Sequence, residues 1–164
     1  MSIAVYAGTF DPVTLGHLSV IRKAAGIFSH VRVLVAVNPD KHPMFSGKER
    51  VEMISAITKK MPQVTVDSTE GYVVDYAKEI GAKFLVRGIR NATDAAFEVW
   101  LAAENHKLVP EIETVLLPAD PKLSLVSSSE LKRRLQHNEP LDDALPKELE
   151  VLVRARMNGL LRNQ

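Results

Sequence analysis

The 164-residue chain has no cysteine. Disulfide frameworks and thiolate metal sites are thereby excluded, and a reducing compartment is the natural setting. No stretch approaches the ~20 apolar residues of a membrane-spanning helix. The start, Met1 to Tyr6, carries no basic segment ahead of a long apolar run. A cytoplasmic protein that does not engage membranes is the expectation. An excess of charge is missing as well, since 21 basic and 20 acidic side chains leave a formal net charge of +1. No global field draws in nucleic acid, so any anion site must be local. Low-complexity tracts, internal repeats and linker-like segments are also absent. Residues 1–164 are therefore expected to form a single domain, with a C-terminal helix at about 146–161 packed on it.

What the chain does contain is an alternation of short β-branched runs with longer helix-period segments, the pattern of βα units closing a parallel sheet. Strands are expected at 3–6, 31–37, 64–67, 84–86 and 114–117, apolar almost throughout, as strands covered on both faces should be. Ser46-Gly47-Lys48-Glu49 has capping-box spacing and opens a helix. Gly81 suits the left-handed position past a helix covering 72–80. A helix over 94–108 is closed by Pro110, one of Ser127 to Ser129 caps another, and Pro146 suits the first turn of the last. The fold class is a doubly wound, Rossmann-like five-stranded parallel sheet with helices on both faces.

Ligands of such sheets bind outside the carboxyl ends of the strands, and there the unusual residues collect. Gly8 to His17 follow the first strand, Asn38 to Pro43 the second, Arg87-Gly88-Ile89-Arg90 the fourth, and Pro118 to Lys122 the fifth. Lys41, Arg87, Arg90 and Lys122 are thus expected on one edge beside helix N-termini, a setting for polyphosphate. His17 stands out because it follows Gly16 at a helix start. His30, His42, His106 and His137 have no such context and read as structural or exposed.

Gly8-Thr9-Phe10-Asp11-Pro12 followed by Thr14-Leu15-Gly16-His17 resembles the T/HxGH loop of the nucleotidyltransferase superfamily. Over nearly its whole length the chain is similar to the phosphopantetheine adenylyltransferase family. The likeness includes Lys41-His42-Pro43-Met44-Phe45, Glu49-Arg50-Val51, Arg87-Gly88-Ile89-Arg90 and Val126-Ser127-Ser128-Ser129. It departs at Ala7, where proline is frequent; at Asp94-Ala95-Ala96-Phe97-Glu98, where Asp-Phe-Glu-Tyr-Glu is usual; and at Glu104-Asn105-His106, where Met-Asn-Arg is usual.

The resemblance implies transfer of the adenylyl group of ATP to 4′-phosphopantetheine, giving dephospho-coenzyme A and pyrophosphate, in a homohexamer. His17 would be the catalytic residue. Thr9, Lys41, Val73 and Arg87 would meet the acceptor, Val73 being matched only by counting back from Arg87. Thr9, Phe10, His17, Gly88, Ile89, Arg90, Glu98 and the run Leu123, Ser124, Leu125, Val126, Ser127, Ser128 and Ser129 would meet ATP. Mg2+ would travel with the triphosphate, since no carboxylate cluster suggests a protein cage. Two other readings remain open: an adenylyltransferase with another phosphorylated acceptor such as nicotinamide mononucleotide, and a non-catalytic adenine-nucleotide-binding regulator.

Overall fold

A computed structural model describes residues 1–162. Five strands, β1 (Ile3–Gly8), β2 (His30–Ala36), β3 (Val64–Thr69), β4 (Phe84–Ile89) and β5 (Glu113–Pro118), form one parallel sheet in the order β3-β2-β1-β4-β5. The connections carry α1 (Leu15–Ile27), α2 (Gly47–Thr58), α3 (Val73–Glu79) and α4 (Ala92–Leu108). Then come α5 (Ser128–Gln136) and α6 (Glu150–Arg162).

Successive strand side chains point to opposite faces, so β1 feeds two cores. Ala4 and Tyr6 join Val33 and Val86 under Val20 and Ile21 of α1, Met53 and Ile54 of α2, Leu131 and Leu135 of α5, and Val153 and Met157 of α6. Val5 and Ala7 join Leu34 and Leu85 under Val74 and Ala77 of α3, with Val109 and Ile112. The faces are unequally covered. Of the 17 residues of α4 only Glu98 is buried, while Phe97, Val99 and Trp100 are more than half exposed. Among the described residues no helix is long and apolar enough to cross a membrane.

Element ends differ from the sequence expectation where small or polar residues carry the ladder. β1 extends to Gly8 because Ala7 and Gly8 still pair with Leu34 and Val35. α4 starts at Ala92, not Asp94, because the Asn91 side chain accepts from the Asp94 N–H and caps it. Pro146 lies outside the last α-helix: it caps a 3-10 turn at Lys147–Leu149, accepting from the Leu149 N–H at 3.0 Å, and α6 follows. Gly81 is left-handed, with φ 69°, just after the end of α3.

Candidate active site

Strand order reverses between β1 and β4, so the crossovers diverge and leave a crevice at their carboxyl ends. It is an open cavity of about 340 Å3. Gly88 is required at its floor, where a Cβ would stand 2.9 Å from Val20 Cγ2 on α1.

The first loop enters with Phe10 at φ 51°, a left-handed conformation uncommon for a bulky residue. Its buried ring stands edge-on to Tyr6, at 5.4 Å between centroids, and to His17, at 4.9 Å. Thr14 then caps α1. Its hydroxyl accepts from the His17 N–H, and its own backbone N–H donates to His17 Nδ1 at 3.0 Å. A nitrogen that accepts carries no proton, so the neutral ring holds its hydrogen on Nε2. Burial, with the Arg90 charge nearby, lowers the His17 pKa to about 4. At neutral pH the imidazole is therefore an uncharged Nε2–H donor in the cavity wall.

Opposite it, Arg87 on β4 is gripped by Glu98 of α4: Nε donates to Oε2 at 2.7 Å and Nη2 to Oε1 at 2.8 Å. Nη1 donates to the Ala7 carbonyl at 3.0 Å. Burial works against its charge, but the Glu98 hydrogen bonds together with the electrostatic attraction of Glu98 and Tyr6 outweigh this and hold its pKa above the usual range. Arg90 Nε donates to Asp94 Oδ2 at 2.9 Å, and that hydrogen bond keeps the Asp94 carboxyl below its ordinary range. Each arginine of the crevice thus arrives with its own carboxylate. Burial raises the Tyr6 hydroxyl pKa, so it stays protonated behind Phe10.

The serine run opens α5 toward the cavity. Ser127 caps the helix by accepting from the Glu130 N–H at 3.1 Å, and the Ser128 hydroxyl donates to the Pro12 carbonyl at 2.9 Å. Both line the cavity with Leu123 and Val126. A second cavity of about 210 Å3, mostly apolar, lies behind β1 and β4. Val73, Val74, Leu101 and Asn105 contribute to it, and Arg87 borders both.

Of the residues expected from sequence, Thr9, Phe10, His17, Arg87, Gly88, Arg90, Glu98, Leu123, Val126, Ser127 and Ser128 converge on the first cavity, and Val73 on the second. Ile89, Ser124, Leu125 and Ser129 do not line either, and Leu125 points to solvent. Lys41 and Lys122 stand exposed on their loops outside both, so the expected cationic edge reduces to two paired arginines. The other histidines face solvent or bond locally, as His30 does to Thr65. Sequence reasoning missed Asp94, Leu101 and Asn105. Asp94 was visible as the carboxylate four residues after Arg90, and Asn105 as the one residue that keeps the usual Met-Asn-Arg pattern; Leu101 carried no site signal. Among the described residues no three His, Cys, Asp or Glu side chains are grouped to hold a metal ion.

Residues 5–134 match the cytidylyltransferase-like family model. A phosphopantetheine adenylyltransferase of Desulforudis audaxviator is 44% identical over 154 residues, 94% of either chain. One of Lachnoclostridium phytofermentans is 40% identical over 159 residues, 97% of this chain and 98% of its own. A solved structure from Vibrio parahaemolyticus, assigned as a nicotinate-nucleotide adenylyltransferase, superposes with a TM-score of 0.70 over 96% of this chain and 95% of that one. At 18% identity it speaks for the fold alone. With its sheet order, its Thr9-to-His17 loop and these full-length likenesses, the chain belongs to the phosphopantetheine adenylyltransferase family of cytidylyltransferase-like proteins.

Proposed function

We propose that the protein transfers the adenylyl group of ATP to 4′-phosphopantetheine, forming dephospho-coenzyme A and releasing pyrophosphate. The relatives' names support the reaction, and one observation carries the mechanism: the Thr14 backbone fixes His17 as a neutral Nε2–H donor. A phosphate monoester with a second pKa of about 6 is already largely dianionic at pH 7, so no general base is needed. An acceptor oxygen attacks the α-phosphorus in line as the bond to pyrophosphate breaks. His17 then donates to the α-phosphate oxygens, where negative charge grows.

Thr9 orients the acceptor phosphate; Lys41, exposed on its loop outside both cavities, would have to swing in to neutralise it. Arg87, bordering both cavities, receives that phosphate while the apolar second cavity takes the pantetheine arm along Val73. Phe10, Gly88, Arg90 and Glu98 serve the nucleotide, and Leu123, Val126, Ser127 and Ser128 at the α5 N-terminus serve its β- and γ-phosphates. The triphosphate supplies the oxygens a Mg2+ prefers, so the ion arrives with ATP as part of the substrate. We place the enzyme in the cytoplasm. We also propose a homo-oligomer, a hexamer by family likeness, that covers Phe97 and Trp100, which are 55% and 57% exposed in the single chain. Pyrophosphate release from ATP should depend on 4′-phosphopantetheine and not on nicotinamide mononucleotide; ATP binding without turnover would overturn the assignment.

A further inference from the structure

The Glu49-Arg50-Val51 segment has no part in the mechanism above, yet Arg50 is the largest side chain shut fully inside the protein, with 2% exposure. A buried guanidinium is costly unless its donors are met. Here Nε and Nη1 are met by main chain from three segments, while Nη2 has no hydrogen-bond partner among the described residues. Nη1 donates to the Thr9 carbonyl at 2.8 Å and to the Ala36 carbonyl at 3.3 Å, and Nε donates to the Ser46 carbonyl at 3.3 Å. No carboxylate touches it; Asp11 supplies the compensating charge from nearby. An apolar side chain of similar size would fill this space at lower cost, so the placement calls for a reason beyond packing.

The reason lies in what the carbonyls belong to. Ala36 ends β2, Ser46 caps α2, and Thr9 is the residue that would orient the acceptor phosphate. The peptide after Thr9 leads into Phe10 at φ 51°, a conformation that persists in a non-glycine residue only when its surroundings enforce it. Arg50 holds one side of this turn. Asp11 holds the other, its carboxylate accepting from the Met44 and Phe45 N–H groups at 2.8 Å each and from Lys132 Nζ at 2.7 Å. Between the two anchors, Phe10 lies against His17. Arg50 itself lines neither cavity, so it has no route to the phosphates except through Thr9 and Phe10.

We propose that Arg50 is a positioning residue for adenylyl transfer, which holds the Thr9 carbonyl so that the Thr9 hydroxyl and the Phe10 ring keep the geometry His17 chemistry needs. This rests on the transfer reading above. Arg50→Gln keeps a polar donor but loses the charge and the three-carbonyl span; Arg50→Lys keeps the charge with a single donor centre. Each is compared with the intact protein, alone and combined with Thr9→Val, by pyrophosphate release per folded site and by calorimetric titration with ATP.

Misplacement of this kind should lower kcat/KM for 4′-phosphopantetheine by ~10²-fold in Arg50→Gln. The ATP dissociation constant should stay within about threefold, and Arg50→Lys should recover part of the loss. In the Thr9→Val background the Arg50 change should cost no more than about threefold further, because both act through one residue. Full turnover per folded site with only a lower melting temperature would make Arg50 a packing element and overturn the proposal. Losses that multiply with Thr9→Val would overturn it too, by severing Arg50 from Thr9. Should Arg50→Gln fail to fold, Arg50→Lys carries both comparisons. Absence of acceptor-dependent turnover in the unaltered protein would count against the transfer reading instead, and it is seen before any variant is made.

Discussion

The two walls of the crevice are built by different means. On the side of β1, α1 and α2, main-chain groups of Thr9, Thr14, Met44 and Phe45 are all taken by side chains, and Phe10, Phe45 and Ile54 beneath them are 2% exposed or less. On the side of α4, one buried residue, Glu98, anchors 17, and the contribution to the site is a pair of carboxylates on Arg87 and Arg90. One wall of the crevice is therefore fixed by backbone geometry and the other by ion pairs. This accommodates the departures at Ala95 and Ala96, which lie on the loosely anchored helix and line neither cavity.

The sharpest way to break the comparison is His17→Ala, which should lower kcat by at least ~10²-fold, the usual cost of a lost oxyanion donor. ATP binding should hardly change; near-normal turnover would remove His17 from the chemistry. On the other wall Arg87→Ala should leave kcat less affected and raise the acceptor KM by about 10- to 100-fold, as one charged hydrogen bond is worth about 1.5–3 kcal/mol. An unchanged KM would detach Arg87 from the acceptor. Stability should divide the same way. Ile54→Ala should cost ~2–5 kcal/mol in urea unfolding, while Trp100→Ala, measured at high dilution, should cost no more than about 0.5 kcal/mol. Equal costs would mean that α4 is as deeply seated as α2.

The smallest effect concerns pH. His17 stays neutral down to about 4, so the acid limb of kcat/KM for the acceptor should fall near pH 6, where the acceptor monoester protonates. It should move when a thiophosphate acceptor of lower pKa is used, and a limb that stays put would belong to the enzyme. The linkage runs in a definite direction. With its folded pKa below the ordinary 6.5, His17 takes up its proton more readily in the unfolded chain, so its contribution is full above 6.5 and declines as pH falls toward 4.

Much of this was readable in advance. The strand cores are dense in valine, isoleucine and leucine, and the Ser46 and Glu49 capping box has the expected residues. The equivalent box at Thr14 escaped notice because histidine, not glutamate or glutamine, stands at its third position. Arg50 and Asp11 stood in segments that carry the family likeness, but their anchoring roles were hidden because a buried charge leaves no periodic trace. The Arg87 and Glu98 pair spans eleven residues across a strand-to-helix turn, beyond any local spacing rule. Lys41 illustrates the converse: loop membership placed it at the right end of the sheet but did not bring it into the cavity.

The Thr14 cap also bears on how this chemistry tolerates change. The donor that keeps the proton off Nδ1 is a main-chain amide, a group that every amino acid except proline brings to position 14. Replacing the threonine would loosen the cap without deleting that donor. The imidazole's working tautomer is thus written into chain geometry and a spacing of three residues, which makes it inheritable through side-chain drift at the position that sets it.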